Sequence, residues 1–148
     1  MFGNRQDGKG VDLPEERYTA LAEFRYQLRR FQHVSEDAAR RAGLEPQQHQ
    51  LLLAIKGAPE GRLTIGEVAE RLQVRHHSAV ELVARAAARG LVVREKGEVD
   101  RRKVFVSATA EGTEVLSQLS AAHHRELLTA PDLVRVLQRV IVDDGSSG

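Results

Sequence analysis

The chain has 148 residues, 41% hydrophobic and 29% charged, the size and composition of one folded domain rather than of a disordered or membrane-embedded chain. No apolar run approaches the roughly 20 residues that cross a bilayer, and the opening MFGNRQDGKG lacks the apolar stretch of a secretory signal, so a cytoplasmic protein with no membrane partner is expected. The absence of cysteine excludes disulfides, thiolate metal sites and regulation by thiol oxidation.

The formal net charge is only +1, but it is unevenly placed. Between Arg75 and Lys103 eight Lys/Arg stand against four Asp/Glu, while the rest of the chain carries 14 against 17. A basic segment on an acidic body suits phosphate contact, since cations release condensed counterions where they touch a nucleic acid. Charge alone fits a solvated surface equally well.

In chain order, residues 1–13, glycine-rich at the start and without periodicity, read as a flexible arm. Leu21, Phe24, Leu28, Phe31, Val34 and Ala38 then mark one face of a long helix from Pro14 to Ala42, with Gly43 as terminator. Pro46 opens a second helix that carries Leu51, Leu52, Leu53 and Ile55, apolar on more than one face and therefore central, and that stops at Gly57. Residues 58–63 are a connection ending in a short edge strand. Thr64-Ile65-Gly66-Glu67 has the form of a capping box for a third helix, buried through Ile65, Val68, Ala69 and Leu72. Gln73-Val74 leads into a fourth, starting at Arg75 or His76, with Ala79, Leu82, Val83 and Ala86 inward and Gly90 as its left-handed end. Two helices so joined form a helix-turn-helix. Leu91–Glu95 and Lys103–Ser107 flank a polar turn and spell a hairpin. Thr109 caps a fifth helix with Val115, Leu116, Leu119, Ala122 and Leu127 on one stripe. Pro131 opens a last helix with Leu133, Leu137, Val140 and Ile141, and residues 143–148 read as a disordered tail. The fold class is mainly α with a small β-hairpin wing, a winged helix-turn-helix.

That architecture assigns tasks to particular residues. A second helix of this kind enters the major groove of duplex DNA, and its outward positions here are Arg75, His76, His77, Ser78, Val80, Glu81 and Ala84. The arginine, histidines and serine can donate to phosphates or purine edges, while Val80 and Ala84 allow close approach. Glu81 runs against the basic trend, which makes it either a specificity element or an intramolecular partner. On the hairpin, Arg94, Lys96, Asp100, Arg101, Arg102 and Lys103 are the candidate DNA-binding wing residues; Arg101 and Arg102 at the tip suit the narrow minor groove, and Asp100 suits holding an arginine or capping the turn by a charge-assisted hydrogen bond. The long first and terminal helices carry more apolar stripe than one small lobe covers.

The histidines include His33, His49 and the adjacent His123 and His124 with Glu126. Neighbouring histidines point about 100° apart on a helix, so no metal site is assigned. No phosphate loop, carboxylate pair or nucleophile with its base stands out, so no catalytic residue and no cofactor is expected.

Across TIGEVAERLQVRHHSAVELVARAAARGLVVREKGEVDRRKVFVSATAEG the chain resembles the MarR family of bacterial and archaeal regulators: capped helix, recognition helix ending in Gly-Leu-Val, wing with Asp-x-Arg, and Thr-x-x-Gly before the next helix. The resemblance implies one domain over 14–142, with 14–43 and 110–142 as dimerisation helices around a winged lobe at 46–109. It implies a homodimer on a pseudo-palindromic duplex, regulating transcription, with Asp100 and Arg102 matching the wing motif. Ala84 and Ala86 to Ala88 depart from the family's more polar and leucine-rich pattern. It also implies a small aromatic or lipophilic effector, for which Tyr18, Tyr26, Arg30, Phe31, His33 and His49 are the candidate lining, with Phe24 beside them. The alternative is a winged-helix module that docks protein without specific DNA binding, for which Glu81 and the alanines speak.

Overall fold

The computed structural model describes residues 14–129, 134–136 and 138–139. The arm at 1–13, the tail at 143–148, Pro131, Leu133, Leu137, Val140 and Ile141 lie outside them, as do the side chains of His123, Glu126 and Leu127. The elements are α1 (Glu15–Arg41), α2 (Pro46–Gly57), β1 (Arg62–Thr64), α3 (Ile65–Leu72), α4 (His76–Ala88), β2 (Val92–Lys96), β3 (Val104–Ala108) and α5 (Ala110–Thr129). Helices α1 to α5 follow the expected order, and the class is mainly α. The two hairpin strands each begin one residue later than their periodicity suggests.

The chain divides into two compact units, one holding α1 as far as Phe31 with the residues from 130 onward, the other Gln32–Thr129. In the first unit Glu16, Thr19, Ala20, Glu23 and Gln27 of α1 form a groove with Arg135, Val136 and Arg139, and Val136 is buried there. Tyr18, Leu21, Tyr26 and Phe31 remain exposed.

The second unit is built on α2. Leu51, Leu52 and Ile55 are wholly buried, and α2 packs against α3, α4, α5 and β3. Leu53 departs from the expectation of an all-round apolar helix: it lies about half exposed. At the end of α2, Ala58 is extended at ψ 144°, as the residue before Pro59 prefers. The inward face of α4 is the one that its spacing predicts, with Ala79, Leu82, Val83 and Ala86 all buried. Val68, Val106, Leu116 and Leu119 complete the core, with Ile65, Ala69, Leu72 and Val115 partly buried against it.

Local capping chemistry sets the element ends. The N–H of Glu67 donates to Thr64 Oγ1 at 3.2 Å and the Thr64 N–H donates back to Glu67 Oε1 at 3.3 Å, which closes the capping box. Gly43 ends α1 at φ +80°, with the Leu44 N–H bonding back to the Ala39 carbonyl at 2.9 Å. Gly90 ends α4 at φ +73°, where the Leu91 N–H reaches the Ala86 carbonyl at 3.0 Å. The link from α3 to α4 turns on Gln73, a left-handed residue at φ 55° that is not glycine. Its side-chain amide donates to the Glu70 carbonyl at 2.7 Å, which helps to hold a conformation that L residues disfavour.

The sheet runs β1-β3-β2, antiparallel throughout, so the short strand ahead of the capping box pairs with the second hairpin strand and makes it the central one: Leu63 lies opposite Val106, and Arg94 opposite Val106 on the other side. Arg62 stacks over the Phe105 ring at 4.0 Å, tying β1 to the hairpin.

Candidate nucleic-acid interface

Arg75 caps α4 in an extended conformation, so His76, His77 and Ser78 form the first turn. Arg75, His76, His77, Val80 and Glu81 are exposed, and Ser78 and Ala84 are half-buried. A cleft separates α4 from the hairpin. His76, Val80 and Val83 line it from the helix, Arg94, Arg102, Lys103 and Val104 from the strands and their turn. Five residues singled out from the sequence thus meet in one place. The start of α3, Thr64 to Glu67, completes the wall; in the sequence this segment shows only as a helix cap, with no signal of a surface role.

The turn from Gly97 to Lys103 is tightly built. The Gly97 N–H donates to the Lys103 carbonyl at 2.9 Å and the Lys103 N–H to the Asp100 carbonyl at 3.1 Å. A Cβ at position 97 would stand 2.5 Å from the Asp100 carbonyl oxygen and 3.2 Å from the Phe105 ring, so the close approach requires glycine. Asp100 performs both tasks proposed for it. Its Oδ1 accepts the Arg102 backbone N–H at 3.0 Å and Arg102 Nε at 3.2 Å, while Arg102 Nη2 reaches Oδ2 at 3.4 Å. The guanidinium is therefore aimed while its side chain stays 92% exposed. Arg101, Lys103, Arg94 and Lys96 are exposed as well, and Val99 stands fully in solvent at the tip.

Side-chain hydrogen bonds from Arg102 hold the Asp100 carboxyl below the usual carboxylate range, helped by the Arg102 N–H and the nearby Lys103. A depressed folded pKa means that the contribution is present above the unfolded value of about 3.9 and is lost as pH falls through the folded value. The Arg102 Nε–H resonance is thus expected to stay constant from about pH 8 to 5 and to revert to that of a free arginine only below about pH 4. Reversion near neutrality would show that the carboxylate does not hold the guanidinium.

Two cations of the basic segment serve the core lobe instead. Arg85 pairs with Glu45 at 3.4 Å. Arg89 donates to Gln48 Oε1 at 2.8 Å and to the Gly43 carbonyl at 2.6 Å, bridging the end of α1 and the start of α2. The outward cation set is Arg75, Arg94, Lys96 and Arg101 to Lys103.

The candidate effector residues are differently placed. Tyr18, Tyr26, Arg30 and Phe31 belong to the first unit and are exposed, Arg30 lying over the Tyr26 ring at 5.8 Å. In the second unit, exposed His33 pairs with Asp37 at 3.5 Å. His49 is buried beside Gln48, whose Nε2 has no partner among the described residues. Among the described residues no group of three His, Cys, Asp or Glu is placed to hold a metal, and no helix is long and apolar enough to cross a membrane.

Residues 42–103 match the MarR family model. No curated protein matches the chain as a sequence. Among solved structures, the chain is similar to AbsC, a MarR family transcriptional regulator from Streptomyces coelicolor, at 20% identity and a TM-score of 0.67, covering 89% of this chain and 82% of that one. It is similar to Sco3205, a MarR family transcriptional regulator of the same organism solved in complex with DNA, at 25% identity and a TM-score of 0.62, over 89% and 77% of the two chains. A likeness at 17% identity and a TM-score of 0.62, over 76% and 80%, extends to a point mutant of MepR from S. aureus bound to an oligodeoxyribonucleotide.

Proposed function

We propose that this chain, whose residues 42–103 match the MarR family model, is a homodimeric MarR-type transcriptional regulator that binds duplex DNA at a pseudo-palindromic site and acts in the cytoplasm. The observation that carries the reading is the pairing of an exposed recognition-helix start with an arginine held outward by Asp100 across one cleft. A helix for the major groove and a cationic projection for the minor groove are the two parts such a lobe needs. The DNA complexes of Sco3205 and MepR support the same use of this fold.

Dimerisation is supported by α1, where Leu21 and Phe31, on the face that also carries half-buried Phe24 and Leu28, remain exposed on the single chain. A face of that kind is buried in a symmetric pairing of two copies. A small aromatic or lipophilic effector would act by preferring one separation of the two recognition helices, and DNA must then weaken effector binding by the factor by which the effector weakens DNA binding.

Selection of bound sites from random duplex tests the proposal. An inverted repeat is expected, its half-sites about one helical turn apart, with affinity falling by orders of magnitude between about 50 and 200 mM salt. Sedimentation of the free protein should give a dimer. A monomer with no selected site and no salt-dependent retention of duplex would overturn the reading.

A further inference from the structure

We infer that Glu81 reads a cytosine in each half-site, an inference that rests on the DNA-binding reading above. The buried positions of α4 are Ala79, Leu82, Val83 and Ala86. At about 100° per residue, His77 and Glu81 lie nearly opposite that face, at the middle of the surface presented outward. Glu81 is exposed and is the only carboxylate on α4.

An exposed helical glutamate ordinarily pairs with a cation one turn away. Arg85 stands at that position, but it is drawn across to Glu45, the N-cap of α2, at 3.4 Å. His77, one turn the other way, forms no ion pair with Glu81 among the described residues. Among those residues the carboxylate is thus left without an internal partner, on the face that meets the groove. Of the two explanations open to a DNA-binding helix, intramolecular pairing is removed among the described residues and base recognition stays.

The chemistry then selects the base. A carboxylate only accepts hydrogen bonds, and among phosphates it raises the energy of the complex unless a base amino group donates to it. The major groove offers two such donors, cytosine N4 and adenine N6. Adenine sets the N7 acceptor beside N6, where it repels a carboxylate, while cytosine shows no ring acceptor in that groove. Small Ala84 and Ala88 on the same face add no competing donor.

Parallel selection from random duplex with the unaltered protein, Glu81→Ala and Glu81→Gln tests this. The unaltered protein is expected to recover one C·G pair per half-site, with other pairs depleted on the order of tenfold. Glu81→Ala should leave that position random, keep the rest of the half-site, and hold random duplex more tightly at low salt because a repulsive charge is gone. Glu81→Gln should admit A·T beside C·G, since its amide supplies a donor for N7. Recovery of the same C·G preference by Glu81→Ala would overturn the inference while leaving DNA binding intact, as would a half-site without a C·G pair for the unaltered protein. No binding of any duplex by the unaltered protein would remove the DNA reading itself, and this inference with it.

Discussion

Replacing Arg102 by alanine is expected to weaken operator binding by about tenfold or more near physiological salt and to reduce the slope of log affinity against log salt by about one. The side chain is 92% exposed, so it contributes little to the folded chain, yet Asp100 holds two of its donors and directs the rest of the guanidinium outward. That preorientation lowers the ordering cost of an otherwise mobile arginine when it reaches DNA. Asp100→Asn should lose part of the same affinity with every phosphate-contacting cation intact, because it loosens the guanidinium without removing it. Arg102→Lys should not restore binding, since an ammonium has neither the fork that engages Asp100 nor the planar shape that enters a narrow groove. Stability should change by less than about 0.5 kcal/mol in all three variants, as for other surface changes. Unchanged affinity of Arg102→Ala for a selected site, measured by titration at two salt concentrations, would exclude the hairpin from the interface.

The second large effect is on folding. Gly112→Val should destabilise the chain by about 3 kcal/mol or more, read as a shift in the urea midpoint at unchanged slope. The first turn of α5 lies directly on the segment that leaves α4: the Thr109 N–H donates to the Leu91 carbonyl at 3.0 Å, and Thr109 Oγ1 both donates to the Gly90 carbonyl at 2.5 Å and accepts the Gly112 N–H at 3.0 Å. A Cβ at position 112 would overlap the Leu91 carbonyl and press on Leu52 in the core. Neither neighbour can move cheaply, one being backbone and the other wholly buried. Gly66→Ala on α3 is the control of opposite sign. Its Cβ meets nothing within 4 Å, so better helix propensity should raise stability by about 0.5 kcal/mol. Equal stability of Gly112→Val and the parent would mean that α5 does not seat on Leu91 as described.

These two sites show how far sequence reading reaches. Thr-x-x-Gly is legible as a cap, and the structure supplies the second reason for it, the carbonyl of Leu91 under Gly112. Asp-x-Arg is legible as a turn with a held arginine because its partners are two residues apart. The capping box at Thr64 and Glu67, the left-handed glycines 43 and 90, the hairpin turn from Gly97 to Lys103 and the inward face of α4 share that property: each depends on interactions within about six residues, or on a repeat set by backbone geometry. The sequence by itself therefore determined the order of the described elements, the capped helix ends and the winged-helix class.

Only the tertiary structure decided how the charges divide. Arg85 and Arg89 count with the basic segment in a linear reading, but packing sets them beside Glu45, Gln48 and Gly43, some 40 residues earlier in the chain. The same diversion leaves Glu81 without its helical partner. Leu53, read as part of a central helix apolar on more than one face, is about half exposed, while Leu51, Leu52 and Ile55 of the same helix are wholly buried. A pairing across 40 residues follows from which faces meet, and the local pattern carries no record of that. The length, charge and element order of this chain are thus properties of its sequence, while the outward cation set and the α4 carboxylate left without a partner among the described residues come from packing.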